Sequence, residues 1–211
     1  MKYIIMCGGH YKRWKTPKHL TMIKGEPLVG RTIRLLRENR VKDISISSDN
    51  PIFEQFGVPV LKHENSYSVR GYNDFDGYWC DAFYPTTEPT CYIFGDVLYS
   101  PEAIKKIVDY QGEGIMFFGS KRPFSKKYPK THVEPFAFKV WDTDRLKEAC
   151  EKVKDLDRHR AFLRKPLAWE LWYVICGAPI NQDAEHIEDA DYVAINDYTC
   201  DIDDPWEIKE W

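Results

Sequence analysis

The chain has 211 residues, a formal net charge of −3, 43% hydrophobic and 30% charged side chains, a balance that excludes disorder and gives no electrostatic case for nucleic acid as a partner. The length suits one α/β domain over residues 1–211, large enough to bury a core without metal or disulfide staples. Six cysteines with no Cys-x-x-Cys pair point to reduced thiols, and the apolar run 2–7 is too short for a signal peptide or a membrane span, so a cytoplasmic protein with no membrane partner is expected.

Residues 2–7 predict a short buried strand, and Gly8-Gly9 then lets the backbone turn sharply with its N–H groups outward. Such a turn holds anions. Arg13 and Lys18 follow it with a planar fork and a mobile point charge, two cations that a triphosphate uses differently. Alone, the pattern also fits an ordinary β-to-helix loop, and it has neither the ending of a Walker loop nor the spacing of a dinucleotide fingerprint.

Farther along, Leu28, Ile33, Leu35 and Leu36 among arginines predict an amphipathic helix over 28–40. Strands are expected at 43–48 and 58–61. Asn73 or Asp74 would cap a helix running to Tyr84, where Pro85 stops it. The run 91–94 reads as a buried strand ending at Gly95-Asp96, and Pro101 opens a helix to Tyr110. Strands at 115–119 and 135–140, helices over 143–153, 157–164 and 167–176, and a strand at 192–195 complete the order, with Asp204-Pro205 starting a terminal helix. This alternation predicts an α/β protein with a mostly parallel mixed sheet in a three-layer α/β/α arrangement.

Ligands of such sheets sit at the carboxyl ends of strands. Two acidic features fall there: Asp96, directly after the run 91–94, and Asp201-Ile202-Asp203-Asp204, after the strand at 192–195. Asp201 and Asp203 alternate around Ile202, so an extended segment carries both on one face. Turn or capping roles are the plain alternatives for these aspartates. His10 lies inside the glycine turn, though a solvated loop histidine fits as well. Trp79 with Tyr72, Phe75 and Tyr78 would line a ligand pocket or, at helical spacing, belong to the core; Trp169 and Trp172 have the same two readings. Five cations in 120–130 read either as a flap at the site, with Lys121 or Arg122 on a bound anion, or as a solvated basic loop.

Taken together, these motifs resemble the nucleotidyltransferases with a GT-A-like, Rossmann-type fold. The stretch 6–14 is similar to their L-A-G-G-x-G-x-R-M signature, with Tyr11 in place of the second loop glycine and Arg13 on the family arginine. Pro17-Lys18-His19-Leu20 resembles their P-K-x-L, Gly25-Glu26-Pro27-Leu28 their G-K-P-L, Gly95-Asp96 their metal-binding G-D, and Asp201-Ile202-Asp203-Asp204-Pro205 their D-I-D-x-P. Within the superfamily, 31–36 and the loop 65–75 look most like the cytidylyltransferases acting on small phosphates.

The resemblance implies transfer of a nucleotide from an NTP, CTP favoured, to a small phosphorylated acceptor such as a sugar phosphate or phospho-alcohol or phospho-amine, with pyrophosphate released and Mg2+ (or Mn2+) as cofactor. It implies that Met6, Cys7, Gly8, Gly9, Arg13 and Lys18 bind the nucleotide. Lys18, Arg13 and Asp96 serve the chemistry, Asp96 and Asp203 hold the metal with Asp201 as the alternative, and Glu134 (in a family-like Glu-Pro) with Arg122 or Lys121 meets the acceptor. A homo-oligomer is left open. A non-catalytic nucleotide-binding relative and a GT-A glycosyltransferase are the other readings; the latter has an Asp-x-Asp strand end and lacks the Arg and Pro-Lys pair.

Overall fold

Short strands whose residues are buried on both sides are stable only when both sheet faces are covered, and the central strands here are of that kind. The computed structural model describes residues 1–8, 14, 16–63, 77–120, 134–180, 192–203 and 205. Strand β1 (Lys2–Met6) buries Tyr3 to Met6, the two-residue strands β2 (Met22–Ile23) and β3 (Glu26–Pro27) pair antiparallel with each other, and β4 (Ile44–Ser47) and β6 (Thr90–Phe94) are buried at every position. With β5 (Val60–Leu61), β8 (Ile115–Gly119), β9 (Pro135–Val140) and β10 (Val193–Ala194) they form a seven-stranded sheet in the order β10-β8-β9-β6-β1-β4-β5. Pairs β1–β4, β1–β6, β4–β5 and β8–β10 are parallel, whereas β9 runs antiparallel to both of its neighbours. The sheet is therefore mixed and mostly parallel, as expected.

Helix α1 (Leu28–Glu38) buries Leu28, Val29, Thr32, Ile33, Leu35 and Leu36 and packs against α2 (Pro101–Asp109). Helix α3 (Thr143–Arg158) packs against α4 (Ala168–Cys176). Buried Lys139 of β9 caps the end of α2: its Nζ donates to the carbonyls of Ile107, Val108 and Tyr110 at 2.7 to 2.8 Å. These carbonyls would otherwise lack intrahelical donors.

Two helix expectations are corrected. The segment 157–164 is not a helix: α3 runs on to Arg158, and Arg160 then turns left-handed at φ 56°. The amide of Arg160 donates to Asp157 O and that of Ala161 to Leu156 O, a Schellman closure that ends the helix without glycine. Nor does one helix reach Tyr84. Asn73 and Asp74 lie outside the described residues, Tyr78 is extended, and only a 3-10 turn, Trp79–Ala82, follows. The cause is aromatic packing. The Trp79 ring lies 5.4 Å from those of Phe83 and Phe94, and Phe83 lies 4.9 Å from Tyr92, so this segment is pressed onto the sheet instead of winding above it. Trp169 and Trp172 pack on Phe117 with centroids 4.7 and 5.6 Å apart, and both are core. The expected terminal helix lies outside the described residues apart from Pro205.

All six cysteines are thiols. Among the described residues no helix is long and apolar enough to cross a membrane.

Candidate active site

Three segments meet at the carboxyl ends of β1 and β6. The end of β1 is clamped on one side by β4, where Cys7 N donates to Ser47 O and Ser48 Oγ to Cys7 O. On the other side Gly95 N donates to Met6 O at 3.0 Å. Glycine is required at 95, because a Cβ there would lie 2.6 Å from Met6 O, 2.7 Å from Cys7 Sγ and 2.8 Å from His19 Cδ2. That close approach carries Asp96 up to the first strand. Cys7 is fully buried, and burial, reinforced by Asp96, pushes its thiol well up, so it stays a neutral packing group.

Lys18 opens a 3-10 turn, Lys18–Leu20, with Leu20 N bonded to Pro17 O and Thr21 N to Lys18 O. The adjacent His19 is buried, edge-on to Phe53 at 5.8 Å, and acts as the peg that turns Lys18 toward Asp96. Strand β7 (Val97–Leu98) continues from Asp96 and pairs antiparallel with β11 (Cys200–Asp201), while Ile202 N donates to Asp96 O at 3.0 Å. Behind them Thr199 Oγ1 accepts from Ser100 N, and Ser100 Oγ, the cap of α2, donates to Asp197. The acidic segment is thereby tied to a helix terminus.

The outcome is one ammonium among three carboxylates. Lys18 Nζ lies 2.6 Å from Asp96 Oδ2 and 3.7 Å from Oδ1 of both Asp201 and Asp203. Lys18 remains 19% exposed and Asp203 46%, so the cluster opens to solvent. Burial opposes charge on Lys18, but Asp201, Asp96 and Asp203 outweigh it and raise its pKa. Burial likewise works against ionised Asp96; Lys18 reverses this and holds it below the usual carboxylate range. Asp201 goes the other way. Burial first, then the neighbouring carboxylates Asp96, Asp203 and Glu134, push it well up despite Lys18.

Glu134, at the entry to β9, is 2% exposed and accepts a hydrogen bond from Asp201 N at 2.9 Å. Trp14 donates its indole N–H to Asp203 O at 3.1 Å. The structure therefore brings together Met6, Cys7, Gly8, Lys18, Asp96, Asp201, Asp203 and Glu134. Gly9, His10, Arg13, Lys121 and Arg122 lie outside the described residues, as do the loop 65–75 and the basic segment 121–130. Trp14 and His19 lie within the motifs 6–14 and 17–20 without a role assigned there, and Ser48 lies outside every motif. A single polar or aromatic residue in a loop has no periodicity to announce it, although Trp14 stands at an apolar position of the motif. A separate cleft of about 810 Å³, lined by Lys2, Glu88, Tyr92, Asp144 and Lys154 among others, opens toward the amino end of β1 and shares no residue with this cluster.

His19 gives the site a pH signature. Burial, with help from Lys18 and against Asp96, lowers its pKa to about 4. Since this lies below the value of about 6.5 in an unfolded chain, the unfolded state takes up the proton first, and stability falls as pH drops from about 6.5 toward 4. Between pH 7 and pH 5 the loss amounts to about 2 kcal/mol. His19→Gln is expected to remove that increment, and thermal melts of both proteins at the two pH values read it as a difference. Equal acid sensitivity would count against a neutral buried His19.

Among the described residues, no group of three or more His, Cys, Asp or Glu side chains is gathered to hold a metal by itself. The donor set nonetheless fits a hard divalent cation. Asp96, Asp201 and Asp203 all aim oxygens at one positive centre and carry more negative charge than one ammonium cancels. Mg2+ takes one or two carboxylates and completes its shell with water and phosphate oxygens.

The sequence that folds into this mixed, mostly parallel sheet, with its lysine–carboxylate cluster at the strand ends, places the chain among the nucleotidyltransferases. It belongs to the family of MobA-like NTP transferase domains, whose profile matches residues 3–168. Asp201 and Asp203 lie beyond that match. Among solved structures it is similar to the inositol-1-phosphate CTP transferase from T. maritima, with a TM-score of 0.56 at 18% identity over 98% of this chain and 90% of that one. It is also similar to Rv0371c from Mycobacterium tuberculosis H37Rv, with a TM-score of 0.53 at 14% identity over 99% and 94%. At these identities the likeness carries the fold alone. No curated protein matches the sequence.

Proposed function

We propose that this nucleotidyltransferase moves the nucleoside monophosphate of CTP onto a small phosphorylated acceptor, releasing pyrophosphate. The observation that carries the reading is Lys18 Nζ held among Asp96, Asp201 and Asp203 at the strand ends. In this reading a cation for the α-phosphate stands beside carboxylates for a metal. The preference for CTP is supported by the resemblance of 31–36 and 65–75 to cytidylyltransferases.

An acceptor phosphate oxygen attacks the α-phosphorus, the new P–O bond forms as the bond to the β-phosphate oxygen breaks, and pyrophosphate departs. A phosphate monoester has its second pKa near 6, so it is mostly dianionic at neutral pH and the reaction needs no side-chain base. The protein's task is alignment and charge neutralisation. In this reading Lys18 faces the α-phosphate, Arg13 the β- and γ-phosphates, and Gly8 and Gly9 present backbone N–H groups. Arg122 or Lys121 holds the acceptor phosphate. Asp96 and Asp203 would hold Mg2+, with Asp201 as the alternative ligand, and the ion would neutralise charge on the phosphate oxygens.

The test is a thermal-shift series with ATP, CTP, GTP and UTP in the presence of Mg2+, followed by pyrophosphate release with the nucleotide selected. At about a hundredfold excess over Kd, a ligand of the native state adds roughly 2.7 kcal/mol, or roughly 5 to 10 °C for a chain of this size. CTP is expected to give the largest shift. A GTP or UTP preference would refute the base while leaving the enzyme class intact.

A further inference from the structure

We propose that Glu134 is a positioning residue whose buried carboxylate fixes the backbone of Asp201 and, through it, the register of Asp201 and Asp203 against Asp96 and Lys18. The proposal rests on the reading of these aspartates as metal-binding groups of a nucleotidyl transfer.

Segment 200–203 has little structure of its own. Strand β11 is two residues long and pairs with β7, also two residues long. So short a ladder specifies register weakly, and a one-residue slip would turn Asp201 and Asp203 away from Lys18. What fixes it is a grip on three successive residues from three different elements. Glu134 Oε2 accepts from Asp201 N at 2.9 Å, Asp96 O accepts from Ile202 N at 3.0 Å, and Trp14 Nε1 donates to Asp203 O at 3.1 Å.

Glu134 is suited to lead this grip because it is itself immobilised. Its N–H donates to Ser120 Oγ at 3.0 Å, and its carbonyl accepts from Ser120 N at 2.8 Å. Ser120 is fully buried. The approach depends on Gly119, where a Cβ would lie 2.8 Å from Glu134 O. A side chain meant to meet an acceptor would present its carboxylate to solvent, whereas Glu134 is 2% exposed and has one oxygen committed to Asp201. Groups that orient metal ligands in this way cost about 10- to 100-fold in metal affinity or activity when lost.

The experiment compares Glu134→Ala and Glu134→Gln with the parent, reading pyrophosphate release and, separately, Mn2+ affinity from the electron paramagnetic resonance of the free ion, with and without CTP. Glutamine keeps an oxygen for Asp201 N and is expected to stay within about threefold of the parent in both readouts. Alanine is expected to lower kcat and weaken Mn2+ binding by about 10- to 100-fold, with acceptor KM unchanged. A raised acceptor KM with kcat and Mn2+ affinity intact would overturn the proposal in favour of acceptor contact, and so would glutamine failing as badly as alanine. Should the alanine variant not fold, Ser120→Ala removes the acceptor of the Glu134 N–H while leaving the Ser120 N to Glu134 O bond and the carboxylate. It must then show the same pattern at smaller size, and parental values would overturn the proposal. If the parent releases no pyrophosphate from any NTP, the reading of the reaction fails, and the Mn2+ titrations still decide the role of Glu134.

Discussion

Asp96→Asn is expected to abolish turnover, lowering pyrophosphate release by about 10³-fold, or about 4 kcal/mol of transition-state stabilisation, while the unfolding midpoint barely moves. The loss follows from position. Asp96 sits where β6 ends against β1, its oxygen is 2.6 Å from Lys18 Nζ, and Lys18 holds its carboxyl below the usual carboxylate range. The fold survives because the backbone bonds at this corner, Gly95 N to Met6 O and Ile202 N to Asp96 O, need no side chain. Lys18 also retains Asp201 and Asp203, and one carboxylate fewer relieves the crowding that pushes Asp201 up. A pyrophosphate assay with a parallel urea melt checks both halves. Parental activity would remove Asp96 from the chemistry.

Asp96 and Lys18 were legible in the sequence because short motifs at strand ends keep their order even when the fold around them is built from weak signals. The apolar runs of β1, β6 and β8 and the amphipathic stripe of α1 were readable for the same reason: each is set by local burial. What escaped reading was set by tertiary contact. The reversed β9 has the same composition as a parallel strand. Helices α1 and α3 close on Arg40 and Arg160, both left-handed, where glycine would have marked the end. The two-residue pairing of β7 with β11, which brings Asp201 to Asp96, has no periodicity to detect.

In the site itself, residue types were legible and their partners were not. That Asp201 and Asp203 share a face follows from strand alternation, and both do reach the same ammonium. Nothing in the chain announced that Glu134 and Trp14 hold the backbone of that segment, because each makes a hydrogen bond to a main-chain atom whose identity depends on the fold. The aromatic cluster around Trp79 shows the converse. Helical spacing pointed to a helix, but the rings are spent on Phe94, Phe83 and the sheet.

Lys18→Ala is expected to lower kcat by about 10²-fold, roughly 2.7 kcal/mol, with a smaller change in nucleotide affinity, because charge on the transferring phosphoryl group must be met where it develops. The cluster adds a second consequence that activity alone does not report. In the parent, the Lys18 ammonium stands between Asp96, Asp201 and Asp203, on the side of the carboxylates where a divalent cation would be drawn. Without it, three carboxylates face one another uncompensated. Leaving one side of a largely buried ion pair alone costs on the order of 3 kcal/mol, reduced here by the exposure of Asp203. The variant should therefore melt below the parent in the absence of divalent cations. Mg2+ alone should then restore it, because a ligand that binds only the folded state stabilises in proportion to its affinity for that state. The parent, whose carboxylates already have their cation, should respond much less. Melts of both proteins across a Mg2+ series without nucleotide make the comparison. A parental response equal to that of the variant would mean that Lys18 does not compete with the metal, and a variant that melts like the parent throughout would mean that the cluster is not held by Lys18.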